Sequence, residues 1–267
     1  MIARICFGLV LPVVAVAATT MSAAPSAWAQ TIDPRREYAA CMAESRSNPK
    51  EGFDRATQWL GLGGGDAARH CQGASLIGMG QHEEGARRIE ALAQDVKANP
   101  VFRAELLAQA AQGWMLAGKA QQAEATLTAA IKLSPEDVEL YVDRAEARAQ
   151  HGDFQGAVTD LNFVLTRDPI KTDAYVFRAS AYRQLGKIDL ASKDLVTALE
   201  LNPQHVEALL ERGMLNRLNG NNAAARRDWL TVIERAPNSP AAETASRNLQ
   251  QMDGNTAGAP KGKAKGK

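Results

Sequence analysis

The sequence predicts an all-α protein, a right-handed α-solenoid of stacked helical hairpins that ends in a C-terminal capping helix. Three observations support this fold class. Alanine is frequent and aromatic residues make up only 5% of the 267 residues, which favours closely packed helices over strands. Four prolines recur every 34 residues, at positions 135, 169, 203 and 237. Columns of glycine, alanine and leucine keep the same spacing, and self-similarity at such a period indicates a repeat array.

The first thirty residues differ from the rest and predict a secretory signal peptide. Arg4 is their only charged residue, an apolar run covers residues 5–18, and the small-residue site 27–29 precedes Gln30. This order is typical of a cleavable signal. The alternative is a membrane anchor, but the run is shorter than the roughly 20 residues that cross a bilayer. We expect residues 1–29 to be removed and the mature protein to be periplasmic, without a membrane span.

The charge balance disfavours nucleic acid as a partner. Without residues 1–29 the chain has equal numbers of basic and acidic residues, which does not provide the basic face that nucleic-acid binding requires. Residues 254–267 hold four lysines among glycine, alanine and proline, at positions 261, 263, 265 and 267. That composition predicts a disordered basic tail. The tail is a solvated end or, less favoured, a contact with an anionic surface, because four charges without an apolar anchor attract weakly.

Residues 30–100 are helical in pattern, with breaks at Asn48-Pro49 and at the glycine run 61–65. A 30-residue register fits this region and predicts two degenerate hairpins that begin the solenoid, since terminal repeats are commonly atypical. The register places Cys41 and Cys71 at equivalent points of neighbouring first helices. In an oxidising compartment this predicts a structural disulfide between Cys41 and Cys71. Two buried free thiols are the alternative.

Residues 101–237 carry four copies of the 34-residue unit, with the registers 104–137, 138–171, 172–205 and 206–239. In each copy a glycine follows the first helix, where a residue with positive φ can end it. Small residues allow the helices to approach, and large apolar residues fill the space between hairpins. The columns are Gly118, Gly152, Gly186 and Gly220; Ala111, Ala145, Ala179 and Gly213; Ala123, Ala157, Ala191 and Ala225; and Leu127, Leu161, Leu195 and Trp229. After the last copy, residues 238–253 are predicted to form the capping helix.

These columns resemble the tetratricopeptide repeat family, as in DAYVFRASAYRQLGKIDLASKDLVTALELNP over residues 173–203. The resemblance covers residues 104–237, about half of the chain. Arg148 and Asn216 depart from the large apolar residue that the same column has in the other two repeats, and we expect thinner packing there. The resemblance implies that the first helices line a concave groove that holds a peptide or a helix of a partner protein.

Two columns of opposite charge change together between the repeats. They contain Arg144, Arg178 and Arg212, and Asp160, Asp194 and Asp228, while the first repeat has Ala110 and Thr126. Matched changes are typical of an arginine–carboxylate contact between helices, either inside a hairpin or across the joint to the next hairpin. An arginine row for an anionic ligand is less favoured, because ligand arginines would not require matched aspartates.

The register maps the partner-binding surface to the groove of the last two hairpins. The residues predicted to bind the partner are Val176, Ser180, Arg183, Leu210, Met214 and Arg217. We favour this end over Glu139 and Glu146 because apolar anchors with charged neighbours suit protein recognition. Acidic residues in the first turn of each first helix are favourable without any ligand.

Catalysis has no support in the sequence, because no constellation of acid, base and nucleophile can be assembled. His70 beside Cys71 is the nearest approach to a metal pair, and it lacks further ligands. We therefore expect no enzyme activity, no cofactor and no metal. The predicted function is a periplasmic scaffold or adaptor that binds a partner protein or peptide. The alternative is a regulatory or assembly subunit of an exported enzyme complex, and the oligomeric state is not indicated.

Overall fold

The computed structural model describes residues 33–257, so the predicted signal peptide and the lysines of the predicted tail lie outside the described residues. The described part folds into thirteen α-helices and contains no strand, which confirms the all-α fold class. The helices are α1 (Pro34–Ser47), α2 (Pro49–Gly61), α3 (Gly65–Gly78), α4 (His82–Asp95), α5 (Pro100–Leu116), α6 (Ala120–Leu133), α7 (Val138–Gln150), α8 (Phe154–Arg167), α9 (Thr172–Gln184), α10 (Ile188–Leu201), α11 (Val206–Leu218), α12 (Asn222–Arg235) and α13 (Pro240–Ala257).

The periodic glycine ends the first helix of each of the four central hairpins, as predicted. All four glycines of the column have positive φ, between 71° and 95°. The residue after each glycine donates its N–H to a carbonyl five residues back, as Lys119 does to Trp114 at 2.8 Å. This is the 6→1 bond of a Schellman motif, and it satisfies a carbonyl that the helix end would otherwise leave free. The turn between the two helices is therefore encoded locally.

The hairpins stack into a solenoid whose inner face is formed by the first helices. Each second helix packs against the first helix of the next hairpin, so that α6 contacts α7 and α8 contacts α9. The first helices α5, α7, α9, α11 and the cap α13 also contact one another in succession, whereas the second helices make at most marginal contact among themselves. In a curved stack, the helices that contact one another in succession lie on the concave side. The groove implied by the repeat pattern therefore lies on α5, α7, α9 and α11.

The core between the hairpins follows the predicted columns, with one compensated exception. The alanines of the two small columns are buried, and so are the leucines at 127, 161 and 195. In the fourth hairpin Trp229 replaces leucine and Gly213 replaces alanine. A Cβ atom added at Gly213 would lie 2.4 Å from the indole Nε1 of Trp229, closer than packed atoms approach. The larger residue on α12 thus requires the smaller one on α11.

The N-terminal helices α1 to α4 begin the stack and bring the two cysteines together. Cys41 on α1 and Cys71 on α3 are fully buried, and their Cα atoms are 6.1 Å apart. Their Sγ atoms are 1.94 Å apart, which is disulfide distance. The breaks between helices occur at Asn48 and at the glycine run, as predicted from the sequence.

The last helix, α13, covers the end of the array. Ala245, Leu249 and Met252 on α13 pack with Trp229 and Val232 on α12 in one buried cluster. The helix extends to Ala257, four residues past the predicted end at 253, so the start of the predicted tail is helical. The cap closes an apolar surface that a further hairpin would cover in a longer array.

Candidate functional site

Arginine–aspartate pairs join the two helices of the same hairpin, which decides between the two contacts that the sequence allowed. Arg178 on α9 donates to both carboxylate oxygens of Asp194 on α10, at 2.8 and 2.7 Å. The same bidentate contact joins Arg144 to Asp160, and Arg212 to Asp228. The hydrogen bond to Asp194 raises the pKa of the Arg178 guanidinium above its usual value. These pairs fix the spacing of the hairpins' helices and use the arginines structurally.

Two of these arginines also link neighbouring hairpins. Arg144 donates a further hydrogen bond to Thr128 Oγ1 on α6 at 3.2 Å, and Arg178 donates one to Asn162 Oδ1 on α8 at 2.8 Å. Their guanidinium groups therefore hold three helices each. Within residues 33–257, Arg212 makes no such bond to the preceding hairpin, and its side chain is 42% exposed.

Arg148 and Asn216, which replace the large apolar residue of their column, form hydrogen bonds to buried aspartates. Arg148 donates to Asp160 at 2.8 Å and to Glu124 on the preceding hairpin at 2.8 Å. Asn216 occupies the same column and donates to Asp228 at 3.1 Å. The expected thinning of the packing is thus offset by hydrogen bonds to buried aspartates.

The structure does not gather the six predicted partner-binding residues in one site. Val176 is only 5% exposed and packs in the core between α9, α10 and α11, so its prediction as a groove anchor is wrong. The reason is its place on the helix: the α9 side chain that faces the groove is the next one, Phe177. Leu210 is half-buried against the cluster formed with the cap. Ser180 does line the inner face, beside Phe177.

The other three predicted residues line a cavity at the C-terminal end. Arg183, Met214 and Arg217 surround a space of about 240 Å³ between α11 and α13. Arg183 forms an ion pair with the buried carboxylate of Glu211, and Arg217 donates to Asn222 at 2.8 Å. Both arginines therefore already have partners, which reduces the charge that they offer to a ligand. Their role in partner binding stays a prediction.

The larger concave surface lies on α5, α7 and α9, and we call it the central groove. It consists of a cavity of 240 Å³ beside Leu116 and Asp143 and a cavity of 370 Å³ beside Phe177. Met115 and Glu146 line both cavities, so the two are continuous. Leu116 is 60% exposed and Phe177 is 40% exposed, and both border these cavities. The central groove thus combines apolar side chains with two carboxylates.

Asp143 is the most perturbed group of the central groove. Burial, as the largest cause, and the nearby carboxylates of Glu146, Glu139 and Asp137 together raise its pKa from 3.8 to about 6, while Lys171 opposes them. Within residues 33–257 neither Asp143 nor Glu146 forms an ion pair or a side-chain hydrogen bond. A carboxylate that is half-buried without a donor is destabilised in its charged form.

Sequence reasoning missed Phe177, Asp143, Leu116 and Met115. Gln109, Asp143, Phe177 and Glu211 form one column of the 34-residue register. This column changes chemical type at every repeat, while the column before it keeps small or apolar residues and the column after it keeps arginine in three of the four repeats. Such variation within a first helix is a signal that could have identified the groove-facing column.

Neither a cluster suited to a metal ion nor a membrane-spanning helix occurs among the described residues. His70 contacts Tyr38 and Gln109 through its two ring nitrogens. No group of three or more histidine, cysteine, aspartate or glutamate side chains within residues 33–257 is placed to hold a metal ion. None of the helices in the same range is both long enough and apolar enough to cross a bilayer.

The fold and the groove define a class of protein, the helical repeat solenoids with an inner binding surface. The sequence matches the tetratricopeptide repeat family over residues 109–169 and 178–240. The matched residues are tetratricopeptide repeats. A comparison with curated protein sequences finds no match.

Solved structures of the same architecture are similar to this chain. A tetratricopeptide repeat protein from Parabacteroides merdae has a TM-score of 0.57 at 21% identity, covering 83% of this chain and 75% of its own. MamA from Desulfovibrio magneticus has 0.55 at 19% identity, covering 65% and 97%. YrrB, described as a TPR protein with an unusual peptide-binding site, has 0.54 at 18% identity, covering 66% and 90%. At these identities the likeness concerns the fold.

Proposed function

We propose that this chain is an exported periplasmic scaffold that binds a segment of a partner protein in the central groove. The observation that carries the proposal is the exposure of Leu116 and Phe177 on the inner face, beside Met115. Exposed large apolar side chains that border a cavity are typical of protein-binding surfaces. They bury area when a partner segment covers them, and such anchors dominate binding energy. The peptide-binding site named for YrrB supports the same use of the fold.

Export is supported by the buried cysteine pair. Sulfur atoms at disulfide distance form and keep a covalent bond in an oxidising compartment such as the periplasm. We propose that the Cys41–Cys71 disulfide forms there and closes a loop of 30 residues, which stabilises the fold by about 3 to 4 kcal/mol in the chain-entropy model.

Export and the disulfide are tested together on protein recovered from the periplasm. Mass spectrometry should find Gln30 at the N-terminus, and thiol titration of the unfolded, unreduced protein should find no free thiol. An intact Met1 would contradict export, and two free thiols would contradict the bridge.

Groove binding is tested with a photo-crosslinking amino acid at Phe177. The matched control is Leu190 on α10, which is also 40% exposed but lies on a second helix. We expect one discrete crosslinked protein from position 177, absent from position 190 and reduced by Leu116→Ser. Equal products from both positions would contradict binding in the central groove.

A further inference from the structure

We infer that the segment held in the central groove is both basic and apolar, with a lysine or arginine side chain lying between Asp143 and Glu146. Its apolar side chains contact Leu116 and Phe177. This inference rests on the proposed function and names the chemistry of the partner. It is distinct from the site that the sequence predicted, since that site used arginines and therefore favoured an acidic partner.

The central groove holds uncompensated negative charge. The other acids of α7, α9 and α11 have partners: Glu139 pairs with Lys171, and Glu211 pairs with Arg183. Asp173 and Glu207 both contact His205. Among the residues that line the two cavities of the central groove, none is lysine or arginine. An acidic segment would therefore meet repulsion there, and a basic one would meet attraction.

Asp143 is partly desolvated in the central groove. Its carboxylate is half-buried against Leu116 and Met115, and the carboxylates near it come from α7 and from Asp137, the residue before α7. The opposing cation, Lys171, precedes α9 and is engaged by Glu139. A buried charge without a donor is costly, and a bound ammonium or guanidinium group would offset that cost. Asp143 and Glu146 are three residues apart, so both carboxylates lie on the same side of α7.

Apolar side chains form another part of the central groove. The cavities of 240 and 370 Å³ adjoin at Met115 and Glu146, so one extended segment can cross both. Leu116 and Phe177 stand on either side of the acids, on α5 and α9. An alternating segment, with apolar side chains on both sides of a basic one, complements this order. A further cavity of 280 Å³ continues from Leu116 towards α1 and contains Arg46, which limits the acidic surface at that end.

The inference also predicts how pH affects binding. Asp143 loses its charge as the pH falls through about 6, so its attraction for a cation disappears there. The pKa of Asp143 is raised by Glu146, Glu139 and Asp137 and lowered by Lys171. The pH dependence of binding is therefore that of Asp143 with these charges around it. Binding of a basic segment should therefore weaken between pH 7.5 and pH 5.

The experiment measures fluorescence anisotropy of labelled nine-residue peptides with the purified protein at moderate salt. One peptide alternates leucine and lysine, the second alternates leucine and glutamate, and the third alternates serine and lysine. We expect the leucine–lysine peptide to bind about tenfold more tightly than either of the others, since a desolvated charge pair, which the leucine–glutamate peptide lacks, and a buried leucine, which the serine–lysine peptide lacks, are each worth about that factor. Lowering the pH to 5 should weaken it about threefold, in line with the loss of one of two charges.

The decisive variant is Asp143→Asn with Glu146→Gln, which keeps size and removes both charges. It should lose about tenfold in affinity for the leucine–lysine peptide. The matched control, Asp189→Asn with Glu200→Gln, changes net charge equally on exposed sites of α10 and should keep the parent affinity. Circular dichroism of each variant verifies that the helices are retained.

The outcomes separate this inference from the proposed function. If the leucine–glutamate peptide binds as tightly as the leucine–lysine peptide, or if the decisive variant binds like the parent, the basic-segment inference is overturned. In that case loss of binding in Phe177→Ala would still support the groove. If no peptide binds, or if Phe177→Ala changes nothing, both the inference and the groove proposal fail.

Discussion

Asp143 in its charged form lowers the stability of the fold, and the same charge is the one that we propose binds a partner. Its charged form is disfavoured by burial and by neighbouring carboxylates, and no arginine compensates it in the described residues as Arg144 compensates Asp160. A carboxylate retained under such conditions reduces stability at neutral pH. Residues of this kind are typical of functional surfaces, where stability and activity make opposite demands.

The cost of Asp143 can be measured with Asp143→Asn. Because the folded protein raises the pKa of Asp143 from 3.8 to about 6, the stability that its protonated form contributes is complete below pH 3.8 and is lost as the pH rises through 6. The variant does not titrate, so it should match the parent near pH 4 and exceed it by about 1 kcal/mol at pH 7.5, after discounting for solvent screening. Urea unfolding at the two pH values checks this. A variant less stable than the parent at pH 7.5 would contradict the assignment.

Within the helices of the fourth hairpin, the residues of two columns change together, because a larger residue on α12 needs a smaller one on α11. Trp229 fills the position of a leucine, and its indole N–H reaches the carbonyl of Leu210 at 3.3 Å. The space for the ring exists only because residue 213 is glycine. Packing density in such a core leaves no room for an added methyl group.

Gly213→Ala should therefore destabilise the protein by about 1 to 3 kcal/mol, the usual cost of overpacking, although alanine is the better helix former. Adding Trp229→Leu restores the alanine–leucine pair of the other hairpins and should recover much of the loss. Thermal unfolding of the two single variants and the double variant measures the coupling. Additive effects would mean that the two positions do not constrain each other.

The arginine–aspartate pairs make a second prediction at this scale. Arg178→Ala and Asp194→Ala should each destabilise by about 2 kcal/mol, because each leaves a poorly solvated charge without its partner. Their double-mutant cycle should show a coupling of about 1 kcal/mol. The control cycle pairs Arg178→Ala with Asp160→Ala, which contact different partners, and should be nearly additive. Stronger coupling in the control would mean that the joint, and not the hairpin, holds the pair.

The helices were largely predictable because their signals are local. Each periodic glycine ends a helix through its own φ, and each periodic proline follows one, so position in the sequence was sufficient. The groove was not predictable in this way. Val176 and Phe177 are neighbours in the chain, and only the rotation of α9 against α7 and α11 decides which of them is exposed. That rotation results from packing across hairpins, to which residues far apart in sequence contribute.

For the whole molecule, the cap is part of the cooperative array. Removing residues 240–257 would expose Trp229 and Val232, which α13 now covers. Because stability in a repeat array is a sum over neighbouring contacts, the loss should be greatest in the adjacent hairpin. Hydrogen exchange of the truncated protein should show faster exchange in α11 and α12 and nearly unchanged protection in α5 to α8. Uniform loss of protection would instead indicate that the array unfolds as one unit.

The joint between α10 and α11 lacks the arginine bond that links α6 to α7 and α8 to α9, although Arg183 and Glu211 pair across it from α9 to α11. Arg144 and Arg178 each reach an acceptor in the preceding hairpin, but Val196 holds the corresponding position before Arg212 and offers none. The helices α10 and α11 also make the least extensive contact of any two consecutive helices in residues 33–257. Under a stretching force applied to the two ends of the chain, the array should part first at this joint. An optical trap would then record the release of α11 to α13 as one early step, while the central groove on α5, α7 and α9 stays assembled.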